Sequence, residues 1–199
     1  MIRKLLNSIC IIIFLFPLRV RCQEDFVIRK KSDSYYIQGQ LEKCYLREEA
    51  VVEEHTCIKW IHFYENGSLR RFTIAEPDTF SGIAFPEKST LFLTQDEKLE
   101  KCWFGKKTDL DGLPLIGGFR NITITFHDNG QISCCFLRKT HTIQGLPCEK
   151  GVVSPVFFYP SGMLKRCTIG EKTEIQNMLI RKGSVVDLNE DGRITSVSE

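Results

Sequence analysis

The residues best equipped for chemistry in this chain are an acidic cluster near its C-terminus, four histidines and nine cysteines. Asp187, Asn189, Asp191 and Gly192, with Ile194 behind them, have the spacing of the first half of a calcium loop, where alternate oxygen ligands wrap a hard cation. Such a loop closes with a bidentate Glu at its twelfth position, but that position holds Ser198. The cluster therefore reads as an ordinary turn. His55, His62, His127 and His141 do not fall at metal-ligand spacing, and the acid beside His127, Asp128, itself opens a turn. No nucleophile elbow or phosphate-cradling glycine loop occurs. The expectation is a non-enzyme with no catalytic residue, no metal and no cofactor. Asn66-Gly67-Ser68 and Asn121-Ile122-Thr123 match the glycosylation acceptor pattern, which matters only in a host that glycosylates.

The first 22 residues set the compartment. They open with Arg3 and Lys4, run apolar from Ile9 to Leu18 and contain no acid, the pattern of a secretory signal whose apolar run is short for a membrane span. Val20 and Cys22 suit cleavage after Cys22; an uncleaved anchor and a lipid-modified Cys22 are the alternatives. Residues 23–33 read as a linker and 34–199 as a β repeat domain. Without the four basic residues of the leader, 23 Lys and Arg stand against 25 Asp and Glu. A nearly neutral chain argues against nucleic acid, which asks for a dense basic face. Membrane association is then expected only through the N-terminus.

What must position any functional residue is a repeat. Turn positions at Gly39, Gly67, Glu97, Gly130, Gly162 and Gly192 recur every 28 to 33 residues, a period that marks stacked units. Two residues past each stands Leu41, Leu69, Leu99, Ile132, Leu164 or Ile194. Five past stands Cys44, Phe72, Cys102, Cys135, Cys167 or Val197, and seven past, Leu46, Ile74, Phe104, Leu137 or Ile169. Before the turn lie apolar pairs two residues apart, such as Ile61 and Phe63, or Val186 and Leu188, the period of a strand. A second turn position, fifteen past the first, holds Gly82, Gly112, Gly145 and Asn177; Asn tolerates the left-handed angles that Gly favours.

Seven cysteines follow the leader: Cys44, Cys57, Cys102, Cys134, Cys135, Cys148 and Cys167. Export brings disulfides to mind, and Cys135 and Cys167 in adjacent units are a candidate bridge. Yet a column that also accepts Phe and Val asks for a small hydrophobe, which buried Cys supplies. Cys57 and Cys148 likewise share a column with Phe85, Leu115 and Ile180. Cys134 points away from Cys135 and is the expected exposed thiol. Three residues before the turn, opposite the core partner, stand Tyr36, Tyr64 and Tyr159, with Thr94, His127 and Asn189 completing the row. These tyrosines are the candidate partner-facing residues, with stacking between units as the plainer reading; Tyr supplies contact area at low entropy cost.

Turn signals about ten residues apart and no helical period predict an all-β protein. Reading each unit as three strands (165–169, 174–179 and 184–188 in one copy) predicts a parallel β-solenoid of about five coils, because an odd number of strands in a meander would invert alternate units. The alternative is a stack of antiparallel hairpins, since Asn66-Gly67 and Asn129-Gly130 are strong hairpin turns.

Phe63-Tyr64-Glu65-Asn66-Gly67-Ser68-Leu69 and Phe158-Tyr159-Pro160-Ser161-Gly162-Met163-Leu164 resemble the units of bacterial MORN-variant repeat proteins of the cell envelope, and the likeness spans residues 35–199. The resemblance implies an exported repeat protein of the periplasm, outer membrane surface or cell exterior. It would provide a binding or scaffolding surface for a protein or glycan partner; some members of that family are labelled antitoxins, which makes an immunity-type protein the alternative. A polysaccharide-processing enzyme is the third reading and needs clustered acids on one outer face. The segment Ile116 to Asn121 breaks the repeat spacing by three residues, and such insertions often mark the working surface.

Overall fold

The computed structural model describes residues 27–119 and 122–199. The signal region, Cys22 and Asn121 lie outside them. The described residues form strands and turns, with no helix among them.

Two kinds of turn generate the architecture. In the first, Tyr64 N–H donates to Ser68 O at 2.8 Å and Gly67 N–H to Tyr64 O at 2.9 Å, with Gly67 at φ +85°. This is a type I turn closed by a left-handed bulge residue. The same two bonds recur in all six units, closing on Gly39, Glu97, Gly130, Gly162 and Gly192. Glu97 takes the glycine's conformation at φ 62°. In the second kind, both central residues are left-handed: Ser81-Gly82, Asp111-Gly112, Gln144-Gly145 and Gln176-Asn177. That geometry matches the twist of a two-residue hairpin. The first unit makes it from Glu53 and Glu54, at φ 48° and 73°.

The strands follow from those turns. β1 (Ser34–Tyr35) and β2 (Leu41–Tyr45) form the first long hairpin, and β3 (Ala50–Val52) pairs with the start of β4 (His55–Phe63). β4 and β5 (Leu69–Ile74) form the second, followed by a short hairpin of β6 (Asp78–Phe80) and β7 (Ile83–Phe85). The third unit is β8 (Thr90–Leu93), β9 (Leu99–Trp103), β10 (Thr108–Leu110) and β11 (Leu113–Leu115). The fourth is β12 (Ile124–Phe126), β13 (Ile132–Cys135), β14 (His141–Ile143) and β15 (Leu146–Cys148). The fifth is β16 (Val156–Phe158), β17 (Leu164–Thr168), β18 (Thr173–Ile175) and β19 (Met178–Ile180), and β20 (Val185–Leu188) with β21 (Ile194–Ser198) ends the series. The long hairpins join edge to edge into one antiparallel sheet of thirteen strands; β6–β7, β10–β11, β14–β15 and β18–β19 stand as separate two-stranded sheets.

This overturns the parallel solenoid, since every ladder in the sheet is antiparallel, and it matches the hairpin stack. The error lay in parity. The segment 174–179, read as one strand, turns back on itself at Gln176-Asn177, so a unit has four strands. With an even number, an antiparallel meander brings each unit round in the same sense, and columns match without parallel coils.

Registry across units holds. Cys44 pairs with Ile61, Phe72 with Leu91, Leu91 with Cys102, Cys102 with Ile124, Cys135 with Val156, Cys167 with Val186 and Val186 with Val197. One inner row thus crosses the sheet, and all its members except Val197 are buried. The short hairpins lie against this face. Cys57, Leu115 and Cys148 bridge to Ile74, Leu137 and Ile169 of the next unit. Ile28 bridges to Leu46 in the same way, so residues 27–29 supply a missing hairpin strand and close the first end. At the other end of the described sheet, Leu179 is 64% and Val197 43% exposed.

A Cβ on Gly112 would meet nothing within 4 Å, so a substitution there acts through φ +78° alone. Gly112→Ala is expected to lower stability by about 1 kcal/mol, whereas Glu54→Gly, which relieves left-handed strain, raises it by up to about 1 kcal/mol. Urea unfolding of both variants checks the pair, and equal signs would contradict the turn assignment.

Candidate functional site

The face of the sheet turned away from the short hairpins carries its own row. Lys43, His62, Arg71, Phe92, Lys101, Thr125, Cys134, Phe157, Arg166, Asp187 and Ser196 are successive cross-strand partners. The row changes character along its length. Its first half gathers cations and aromatics; its far end is closed by the Arg166–Asp187 pair at 2.5 Å, with Ser196 Oγ donating to Asp187 at 2.8 Å. Those contacts hold Asp187 below the usual carboxylate range, Arg166 being the larger cause. The residue singled out as a calcium-loop ligand is thus a partner of Arg166, and Asn189 caps its own turn by accepting from Arg193 N–H at 2.9 Å.

Beside the cationic half lies a groove of about 310 Å³ lined, among the described residues, by Tyr45, Trp60, Trp103, Phe104 and Phe119, with Lys59, Arg71 and Lys88. Both tryptophans of the chain are in it. Its parts are fixed in place. The Arg71 guanidinium lies 5.1 Å from the centre of the Phe92 ring and 5.0 Å from that of Trp103, and those rings meet edge-on at 4.8 Å. Trp103 Nε1–H donates to Thr123 Oγ1 at 2.9 Å. Trp60 meets Tyr45 edge-on at 5.4 Å and remains 37% exposed. The hydroxyls of Thr73 and Thr90 bond each other at 2.9 Å on the floor.

Three departures from the repeat coincide here. β4 carries a bulge with Lys59 at φ 66° opposite β5, which turns Trp60 and Lys59 toward the opening; bulges re-aim side chains in this way. Where other units pair the short hairpin with the sheet through backbone, Phe85 and Phe104 stack as rings at 5.6 Å, and Gly105 N–H donates to Ser89 Oγ at 3.1 Å. A Cβ on Gly105 would sit 1.9 Å from Glu87 O, so only glycine admits that approach. The inserted segment then adds Gly118 and Phe119 to the wall, with Gly118 N–H bound to Phe104 O at 2.9 Å. The part of the insertion within the described residues therefore forms one wall of the groove.

His62, beside Arg71 in the row, is pushed down to about 4, chiefly by burial and then by Arg71, Lys43 and Arg70. It is neutral in the folded protein near pH 7.

The tyrosine column forms a ladder between units. Tyr36 OH donates to Phe63 O at 2.9 Å, Tyr64 OH to Leu93 O at 2.8 Å and Tyr159 OH to Leu188 O at 2.9 Å. His127 Nε2 contacts Phe158 O at 3.0 Å in the same position. Cations cover two of the rings: Arg70 over Tyr64 at 5.6 Å and Lys165 over Tyr159 at 5.3 Å. Sequence spacing also missed a pair between units, His55 Nδ1 with Asp78 Oδ2 at 2.5 Å, its ring stacked on Phe72. Cys57 Sγ donates to His55 O rather than facing the imidazole.

The seven cysteines of the described residues are free, and all but Cys134 are buried. Cys135 and Cys167 are not bridged. Burial pushes the thiols of Cys44 and Cys57 up to about 11 and about 12, and Cys148 is raised further by its hydrogen bond to Cys167. No family model matches the chain, and no curated protein matches it.

Two outcomes follow from the site. Because the unfolded chain accepts a proton on His62 that the native state resists, its stabilising effect is complete above about pH 6.5 and is lost as pH falls toward 4. Urea midpoints should drop more between neutral and mildly acid pH for the native sequence than for His62→Gln. Native-state alkylation mapped by peptide mass should mark Cys134 first, with the six buried thiols reacting only in denaturant.

Proposed function

We propose that this chain is a non-enzymatic, exported repeat protein of the MORN-variant type, acting at the bacterial cell envelope as a rigid binding surface. The observation that carries the reading is the placement of both tryptophans, with Arg71 between them, on the outer sheet face where they serve no core. Large aromatics at a water-facing site, each pinned by a neighbour, are what a binding surface needs, since little side-chain entropy remains to be lost. The tyrosines Tyr36, Tyr64 and Tyr159 contribute stiffness through their carbonyl bonds from unit to unit. The leader, with Cys22 as its alternative lipid attachment point, would deliver the chain outside the cytoplasm.

Cosedimentation with isolated envelopes of the host tests this. Native protein should pellet with them, and Trp60→Ser, an exposed change that leaves the circular dichroism unaltered, should shift the protein to the supernatant. Equal partition of both forms would sink the proposal, and a single stoichiometric protein covering the groove would replace it with the immunity-type reading.

A further inference from the structure

We infer that the sheet stands edge-on upon an anionic lipid surface, with the side chains of Phe119, Val152 and Val153 entering it and lysines of the same edge facing its headgroups. The inference rests on the envelope reading and adds a lipid contact to the one expected through the N-terminus.

The first argument is where the repeat is lengthened. After each short hairpin a left-handed residue ties the chain back to its own long hairpin: the N–H groups of Lys88, Gly118, Gly151 and Gly183 donate to the carbonyls of Ile74, Phe104, Leu137 and Ile169. In the regular units three residues then lead to the inner row, from Lys88 to Leu91 and from Gly183 to Val186. From Gly118 to Ile124 there are six, and from Gly151 to Val156 five. The buried serines Ser89, Ser154 and Ser184 each stand two residues before that row, so Val152 and Val153 are what the later unit has added. They are turned out of the stack. Val152 is 55% and Val153 87% exposed, and Phe119, at the corresponding place one unit earlier, is 62% exposed. Units come round in the same sense and lie two strands apart, so both additions project from one edge, about 10 Å from each other.

The second argument is charge. Along this edge, the segments joining sheet and short hairpin in units three to five carry Lys107, Lys139, Lys150, Lys172 and Lys182 against Glu149 and Glu171. Lys106, Arg138 and Arg181 lie there too and already meet Glu87, Asp109 and Glu199. The excess is positive. At the opposite edge, where Gln144 and Gln176 tie the tips of short hairpins to the long turns, Asp96, Asp111, Asp128, Glu190 and Asp191 outnumber Lys98 and Arg193. An anionic surface attracts the first edge and repels the second, which sets the orientation.

The third argument separates lipid from a protein partner. A stable protein contact asks for a continuous patch of roughly 800 Å² on each side, with pockets for its anchors. Here the apolar side chains sit on two separate projections, with Lys150 beside the second. Fluid hydrocarbon accepts that form, because it has no fixed shape to match.

Brominated acyl chains quench indole at short range, so a tryptophan placed on this edge reads its own insertion however the N-terminus is held. In the full chain, Val153→Trp should be quenched beyond the native Trp60 and Trp103 signal by brominated phosphatidylcholine vesicles containing about 30% phosphatidylglycerol, and far less by phosphatidylcholine alone. Phe119→Trp is the second reporter and should respond alike, whereas Ser161→Trp, on a long turn of the opposite edge, should show no added quenching. With Lys150→Glu, half-maximal quenching should need about fivefold more lipid, and the same direction should follow from raising NaCl from about 50 to about 200 mM. Lys98→Glu should change nothing. Equal quenching at Ser161→Trp, equal quenching by phosphatidylcholine alone, or silence of both reporters would overturn the inference. Envelope capture that survives detergent extraction of lipid, with both reporters silent, would give the edge to a protein instead. If the reporters are quenched while Trp60→Ser leaves envelope capture unchanged, the groove reading falls and the lipid edge stands; if capture depends on Trp60 and the reporters are silent, the lipid edge alone falls.

Discussion

A strand whose pairing slips by one residue turns its whole inner set outward, so both rows of this sheet exist only while each hairpin holds its register. The holding is done by backbone in left-handed conformation. At six turns a bulge residue closes the same pair of hydrogen bonds, and at five short hairpins two successive left-handed residues reverse the chain. The turn residues thereby decide which side chains are core and which face water. Cross-links between units reinforce the choice. Gln144 and Gln176, themselves turn residues, each reach the next unit, donating to Gly162 O and Gly192 O and accepting from Leu164 and Ile194 N–H.

The inner and outer rows are coupled through that register. Along the inner row a thiol or a ring faces a branched aliphatic across most ladders, as in Cys102 with Ile124 and Cys167 with Val186. Cysteine fits because it is a small apolar side chain that packs in the buried row without a polar group to satisfy. Burial of Cys102 on one face fixes the direction of Lys101 and Trp103 on the other, since neighbours in a strand point oppositely. The groove is therefore supported by the same contacts that stabilise the domain.

Much of this was legible in the residues. The inner columns, the six turns, the left-handed role of Asn177 and the exposure of Cys134 relative to Cys135 all follow from spacing, and the structure has them. Glu54 takes the second turn position of the first unit but has neither Gly nor Asn chemistry, so its residue type hid the turn. The strand count failed because the short hairpins have only three residues on each side of their turn, too few for period-two patterning to separate two strands from one. The Tyr36, Tyr64 and Tyr159 column was visible, but its carbonyl partners were not, because they lie 27 to 29 residues away at backbone atoms that carry no sequence signal. Nor did the groove announce itself: Tyr45, Trp60, Arg71 and Trp103 belong to three different units and meet only through cross-strand pairing.

Periodicity explains the scaffold, and its interruption explains where a site can form. A perfect repeat presents the same shallow face at every unit, and a shallow face excludes little water. At the second and third units the bulge at Lys59 widens one strand, the stacked rings of Phe85 and Phe104 take the place of backbone pairing, and Gly105 lets the neighbouring loop close in to a distance no side chain permits. Each change replaces the regular backbone pairing of the other units with a contact of its own. Their convergence on the one opening that holds both tryptophans is what sets this stretch apart from the regular face on either side.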